Sequence, residues 1–364
     1  MLLPLLLTLA ADPSATAEYR RRVDIVRKTP GFVAFWDFVE REDGRAGSGR
    51  FAAHRGRGVA QDLRLDASNF VRDYWNEGRE ATYADFPLAG EGPFGQAVHF
   101  HPEPGRDFRP MLAVPRERIR GSRLDVHGPG KSVSLIAWLK REGGEHFIAG
   151  IWHEGIDTRV RGENTGAKRE VAGMRQYALF AGLAANNGAS AAHVSENGGS
   201  SFGDIYARNI AVTPGVIPAD GRWSVVGMVF HNARDTVTSY LDGKADEYWI
   251  EDPAKHPFFR WPAKAWAEGS YRPPEAFARV RDVDGRRELA ALRVNPFWFP
   301  HDLFSPPPDA GGPFSIGRTP HTGRNPRVAM WIGGVAVFDR ALSPAEMAKL
   351  ANVAPTLLKF EALK

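Results

Sequence analysis

A chain of 364 residues with 43% apolar and 25% charged residues has the make-up of a globular protein able to bury a large core. Its net charge of +4 arises from Arg and acidic residues mixed along the chain, without the basic block that nucleic-acid binding uses. The absence of cysteine excludes disulfides, thiolate catalysis and cysteine-based zinc sites, while 38 Gly and 27 Pro favour many turns over long helices.

In chain order, Leu2 to Ala11 is an apolar run of signal-peptide length, and Ala15-Thr16-Ala17 supplies a small-residue cleavage pattern. The run is too short to span a bilayer. Residues 1–17 are therefore expected to be an export signal, with a mature chain from residue 18 in the periplasm or outside the cell and no transmembrane anchor after cleavage. Residues 31–38 (GFVAFWDF) read as a first core strand, whereas 40–92 are charged and Gly-rich with little pattern. Strand character returns at 95–101 (GQAVHFH), 132–139 (SVSLIAWL), 145–152 (EHFIAGIW) and 176–183 (QYALFAGL). Residues 154–173 read as a loop or hairpin extension, and 185–203 as an Asn/Gly/Ser-rich loop.

Residues 222–230 (RWSVVGMVF) and 236–241 (TVTSYL) read as paired strands, the second running into the turn pair Asp242-Gly243. Residues 246–312 are rich in Pro and aromatics and show no periodicity. A short strand at 313–317 precedes a buried one at 331–338. Ser343, Pro344 and Glu346 then form a capping box with proline at the first helical position, ahead of a stripe of Met347, Leu350 and Ala351. Trp138 and Trp223, set among apolar residues, are expected to fill the gap between two sheets. The whole reads as an all-β sandwich whose clearest helix is a short terminal one, with insertions at about 40–92, 154–173 and 246–312 in a single domain over 18–364.

The order of these pieces resembles the laminin-G-like jelly roll of the concanavalin A-like lectin/glucanase superfamily. The matching stretches are 33–38 (VAFWDF), 95–100 (GQAVHF), 132–138 (SVSLIAW), 220–223 (DGRW), 240–244 (YLDGK), 314–318 (FSIGR) and 337–343 (VFDRALS). The resemblance implies a two-sheet antiparallel jelly-roll sandwich and a loop calcium site, with Asp37, Asp242 and Asp339 at motif positions. Asp242 also reads as a turn former and Asp339 as a turn or cap residue. One departure is Ile332-Gly333-Gly334, where family members carry Ile-Asp-Glu at the head of the last strand. The lost carboxylates count against calcium there, and the glycines suit a bulge or a close backbone approach.

Chemistry-bearing constellations are sparse. The glucanase string E-x-D-x-x-E is absent, and the acidic groups at Glu154/Asp157 and Glu247/Glu251/Asp252 lack the spacing of a carboxylate pair. His153, Arg159, Arg175, Gln176 and Tyr177 are the residue types a polysaccharide lyase uses, but without the lyase strings. His99 and His101, two apart on a strand, share one face and could begin a zinc site that lacks a third ligand. The aromatic insertion offers Trp261, Trp266, Trp298 and Arg260, and a second loop offers Trp75. These rings either stack on sugar or pin their loops to the sandwich. The expectation is a non-catalytic module recognising carbohydrate or another cell-surface or matrix ligand, the alternatives being a carbohydrate-active enzyme on the same fold or a protein-binding adhesion protein.

Overall fold

The apolar strands pair into two antiparallel sheets packed face to face. The computed structural model describes residues 13–43, 49–101, 107–144, 146–157, 169–181, 188–199, 209–320 and 329–359. The first sheet runs in the order Phe297–Trp298, Thr236–Leu241, Trp223–His231, Val133–Gly143, Ala329–Phe338, Phe32–Trp36 and His54–Arg55. Ala97–Phe100 pairs with the other half of Ala329–Phe338, and Leu88–Ala89 lies on its far side. The second sheet runs Asn209–Val216, Ala189–Val194, Met174–Ala181, His146–His153, Phe314–Ile316, Pro110–Val114, Leu65–Asn69, Gly49–Phe51 and Arg41–Asp43. This is the expected two-sheet β-sandwich.

Between the sheets lie Leu135, Leu139, Met228, Val335 and Val337 from the first and Leu112, Val114, Ile151 and Leu179 from the second, all buried. Trp36 stacks on Phe314 with ring centroids 4.9 Å apart, and its Nε1 donates to the Leu63 carbonyl at 2.7 Å. Five α-helices stand among the described residues: α1 (Pro13–Lys28), α2 (Phe70–Trp75), α3 (Arg116–Ile119), α4 (Arg260–Ala267) and α5 (Pro344–Ala351). The expected terminal helix is α5, and the other four are additions that the sequence reading did not identify. Val23 and Val26 of α1 and Met347 and Leu350 of α5 pack with Phe32, Phe35, Ile136, Trp138, Val229 and Phe338 on the outer face of the first sheet. That cover explains why its strands are apolar on both faces. Ala15–Ala17 fall at the start of α1, while Leu2–Ala11 lie outside the described residues. No described helix is long and apolar enough to cross a membrane.

Both tryptophans assigned to the inter-sheet gap are displaced from it. Trp138 is buried beneath the helical layer against Phe35 and Phe94, and Trp223 is half-buried on the same outer side. Strands covered on both faces carry no alternation, so their sequence does not say which residue points inward.

The stretches read as irregular hold ordered structure, and 154–173 carries the antiparallel pair Ile156–Asp157 and Arg169–Val171. Residues 40–92 contribute five strands of the two sheets as well as α2. Residues 185–203 contain the buried strand Ala189–Val194. Residues 246–312 hold α4 and a three-stranded sheet in the order Tyr248–Glu251, Arg286–Asn295, Ala278–Val283. Its Leu289, Leu292 and Val294 join the main core with Phe259, Tyr271 and Phe297. This unit packs where Thr236–Leu241 of one sheet meets Asn209–Val216 of the other.

Local turn chemistry follows the sequence closely. Asp242 and Gly243 take φ of 49° and 77°, closing a two-residue turn in which Leu241 and Lys244 exchange backbone hydrogen bonds at 2.9 and 3.0 Å. The strands Trp223–His231 and Thr236–Leu241 do pair, but the link between them is a short 3-10 turn over Asn232–Arg234. At α5, Ser343 Oγ accepts from the Glu346 amide at 3.3 Å and Glu346 Oε2 accepts from the Ser343 amide at 2.8 Å. Hydrogen bonding from Arg340 holds the Glu346 carboxyl down at about 2. Ser343→Ala is expected to cost about 1 kcal/mol, read as a lower urea midpoint with unchanged slope; an unshifted midpoint would remove the cap from the account.

Candidate functional site

The register of four neighbouring strands sets one residue from each side by side: Trp223 opposite Lys140, Lys140 opposite Trp331, and Trp331 opposite His99. Lys140 follows Ile136 and Trp138 along the outer face of its strand. Those two lie in the helix-covered cluster, whereas Trp223, Lys140 and Trp331 are only half-buried. The Lys140 ammonium lies 5.9 Å from the Trp223 ring centroid and 5.5 Å from that of Trp331. Two strand spacings, roughly 9.6 Å, separate the strands that carry the two indoles.

A glycine at position 333 shapes this surface. Pairing slips between Trp138–Gly334 and Leu139–Ile332, leaving Gly333 as the bulged residue. A Cβ at Gly333 would stand 2.4 Å from Pro93 Cδ and 3.0 Å from Trp223 Cζ3. Only a residue without a side chain lets Trp223 and Pro93 settle there.

At the other end of the row, His99 stacks on Trp331 with centroids 4.4 Å apart. Its Nε2 lies 2.9 Å from Glu142 Oε2 and its Nδ1 3.0 Å from His101 Nε2. A carboxylate only accepts, so His99 Nε2 donates to Glu142, and in that tautomer Nδ1 accepts a hydrogen bond from His101 Nε2. The Trp331 indole donates to Glu142 Oε1 at 2.9 Å. Burial, and then the neighbouring His99, pull the His101 pKa below its ordinary value. Both nitrogens of His99 are thus engaged in a hydrogen-bonded chain. Among the described residues no three His, Cys, Asp or Glu side chains are arranged to hold a metal.

The residues singled out from the sequence go to different places. Trp75 ends α2, half-buried, with Phe70 at 4.9 Å and the Arg109 guanidinium 5.3 Å from its ring. Trp261 is half-buried on α4 beneath Arg260 at 5.0 Å and Lys264 at 5.6 Å. Trp266 is 9% exposed, with Nε1 donating to the Arg287 carbonyl at 3.3 Å and Arg272 4.4 Å from its ring centroid. Trp298 sits opposite Thr236 and packs against Tyr271 at 5.6 Å. The Trp75 helix and the Trp261–Trp298 unit flank opposite parts of the second sheet, six strand spacings or roughly 29 Å apart. They form two groups, and neither includes the Trp223–Trp331 row.

Asp37 Oδ2 accepts from the Tyr19 hydroxyl and meets His54 Nε2, both at 2.8 Å, and Asp339 forms a two-pronged ion pair with Arg123 at 2.7 and 2.9 Å. The two stand near opposite ends of the Phe32–Trp36 strand, because the Asp339 amide bonds to Gly31. Six residues of strand, roughly 20 Å, lie between them, so one ion cannot reach both.

Of the lyase-type residues, Arg159 lies outside the described ones. Arg175 pairs with Glu154 at 3.0 Å, and His153 Nδ1 accepts from the Gly155 amide at 3.0 Å. Gln176 donates to Asp125, while the Tyr177 hydroxyl, its pKa raised by burial, donates to Leu124 O at 2.8 Å. A Ser305–His127–Asp125 chain also exists, with Ser305 Oγ 3.0 Å from His127 Nδ1. Its second link, His127 to Asp125, is 3.5 Å, and Arg116 holds Asp125 at 2.6 Å. That link is too long for the oriented base a serine nucleophile needs.

Sequence reading passed over Lys140, Glu142 and Trp331. The usable signal was the charged run Lys140-Arg141-Glu142 at the end of an otherwise apolar strand. Which aromatic rings Lys140 and Glu142 face is set by cross-strand register.

No family model matches the chain, and no curated protein matches it. Solved structures do. Domain 4 of AbnA, a GH43 extracellular arabinanase from Geobacillus stearothermophilus in complex with arabinotriose, is similar at 14% identity over 88% of this chain and 98% of that one, with a TM-score of 0.42. Botulinum neurotoxin type C, in a structure concerning cell entry and two ganglioside molecules, is similar at 10% identity over 91% of this chain and 52% of that one, with a TM-score of 0.41. A Trypanosoma rangeli sialidase in complex with 2,3-difluorosialic acid is similar at 11% identity over 93% of this chain and 38% of that one, with a TM-score of 0.40.

Proposed function

We propose that this chain is a non-catalytic carbohydrate-recognition module of the laminin-G-like kind, working outside the cytoplasm. The observation that carries the reading is the row of Trp223 and Trp331 flanking Lys140 beside the helix-covered part of the first sheet. Half-buried indoles offer an apolar surface for the C–H face of a sugar, and neighbouring polar groups supply direction. Trp75 beside Arg109, and Trp261 beside Arg260 and Lys264, are secondary contact points of the same chemistry. A binding role without turnover fits the pairing of Arg175 with Glu154 and the broken His127–Asp125 link.

The test is a glycan array probed with the protein, with and without calcium, followed by titration of the strongest ligand. Saturable binding without product release is expected, and Trp331→Ala should weaken it by about tenfold with the thermal transition kept. Release of reducing ends or unsaturated products would replace this reading with an enzymatic one. Binding that vanishes without calcium would move the site to the loops.

A further inference from the structure

We infer that the Trp223–Lys140–Trp331 row takes an acidic sugar, a uronic acid residue whose carboxylate pairs with Lys140. The inference rests on the carbohydrate-recognition reading above and specifies the ligand class of that same site. Three observations carry it. The Lys140 ammonium stands between two indoles, so an occupant that stacks across them covers the charge. Among the described residues no carboxylate lies within ion-pair distance of Lys140. The acidic residue two positions on in the same strand, Glu142, has Oε2 engaged by His99 and Oε1 by the Trp331 indole, both at 2.9 Å.

The choice between neutral and acidic ligands then follows from desolvation. A neutral sugar laid over the row would strip water from a half-buried ammonium without supplying an anion, which offsets part of what the stacked ring gains. A uronate brings the missing charge and forms a charge-assisted hydrogen bond in a partly dry setting. A carboxylate fits better than a sulfate ester because it is bonded directly to the sugar ring. Its oxygens therefore stay close to a stacked ring, as the ammonium does. Hydrogen bonds from His99 and Trp331 hold Glu142 away from an ion pair with Lys140, so the ammonium is left to the incoming carboxylate.

The experiment is calorimetric titration with galacturonate and mannuronate trisaccharides, their carboxyl-reduced counterparts, and a sulfated neutral trisaccharide. The protein is used as wild type, Lys140→Met, Lys140→Arg and Trp331→Ala, each checked for an unchanged thermal transition. The wild type is expected to prefer at least one uronate over its reduced form by about tenfold. Lys140→Met should abolish that preference while keeping binding of the reduced form, Lys140→Arg should retain it, and Trp331→Ala should weaken both forms. Equal binding of acidic and reduced sugars, or a preference that survives Lys140→Met, would overturn the assignment. So would a sulfated sugar binding as tightly as the uronate. If neutral glycans alone bind and depend on Trp331, the acidic assignment fails and the recognition reading stands. If no glycan on the array or in solution binds, the recognition reading itself fails.

Discussion

Trp36→Ala should lower the stability of the fold by about 3–5 kcal/mol, the range for emptying a large aromatic site in a packed core. Trp36 is fully buried in Phe32–Trp36, the strand next to the His54–Arg55 edge of the first sheet. Its ring is stacked on Phe314 of the opposite sheet, so the indole is a direct tie between the two layers. The Nε1–Leu63 hydrogen bond is lost as well, leaving the Leu63 carbonyl buried without its donor. Trp36→Phe keeps much of the volume and the stacking, and should recover roughly half of the loss. Urea unfolding followed by circular dichroism measures both variants. A loss below about 1 kcal/mol for the alanine variant would mean that the sheets are held together elsewhere.

Arg22→Met is the second large effect expected, a loss of roughly 3 kcal/mol with early opening of α1. The Arg22 side chain is 1% exposed. Its Nη1 donates to the carbonyls of Pro93 and Thr356, each at 2.6 Å, its Nη2 to Thr356 Oγ1 at 3.0 Å, and its Nε to Glu18 at 2.8 Å. One guanidinium therefore ties the first helix, the turn before the Ala97–Phe100 strand, and the segment after α5. Methionine preserves the stem but leaves the buried Pro93 carbonyl and the partly buried Thr356 carbonyl without this donor, and Glu18 without one of its two arginines. Glu18 lies about one-third exposed, which places the cost at the lower end of the range for a broken buried pair. Hydrogen exchange should speed up across Arg20–Lys28 ahead of global unfolding. Unchanged exchange there, with an unchanged unfolding midpoint, would sink the idea of a staple. The ring of Pro93 lies over Gly333 beside Trp223, so Arg22 also anchors one wall of the candidate site.

Much of the strand pattern was readable because β-branched and aromatic runs bounded by turn residues report local preference. The α5 capping box and the Asp242–Gly243 turn were legible for the same reason, since each is settled by a few adjacent residues. Helix α1 was missed although its Glu18–Arg22 and Asp24–Lys28 pairs, each four apart, carry a helical signature. Its buried arginine and modest apolar stripe, Val23 and Val26, hid a packing face that needs partners remote in sequence. The glycine pair at 333–334 was read as a bulge, and a bulge is there, but the ring that occupies it comes from Trp223, 110 residues earlier.

The candidate site divides along the same line. Residue types, spacing and the His99–His101 relation belong to the chain alone, because side chains two apart on a strand must share a face. So do the aromatic wealth of residues 246–312 and the absence of thiol chemistry. Which rings end up buried, as Trp266 does, and which stay half-exposed beside a cation, as Trp223 and Trp331 do, was decided by strand register and by the helices that cover part of one sheet. The reason is physical: local sequence sets backbone preference within a few residues, whereas exposure, charge pairing and ring neighbours depend on contacts between segments brought together only by folding.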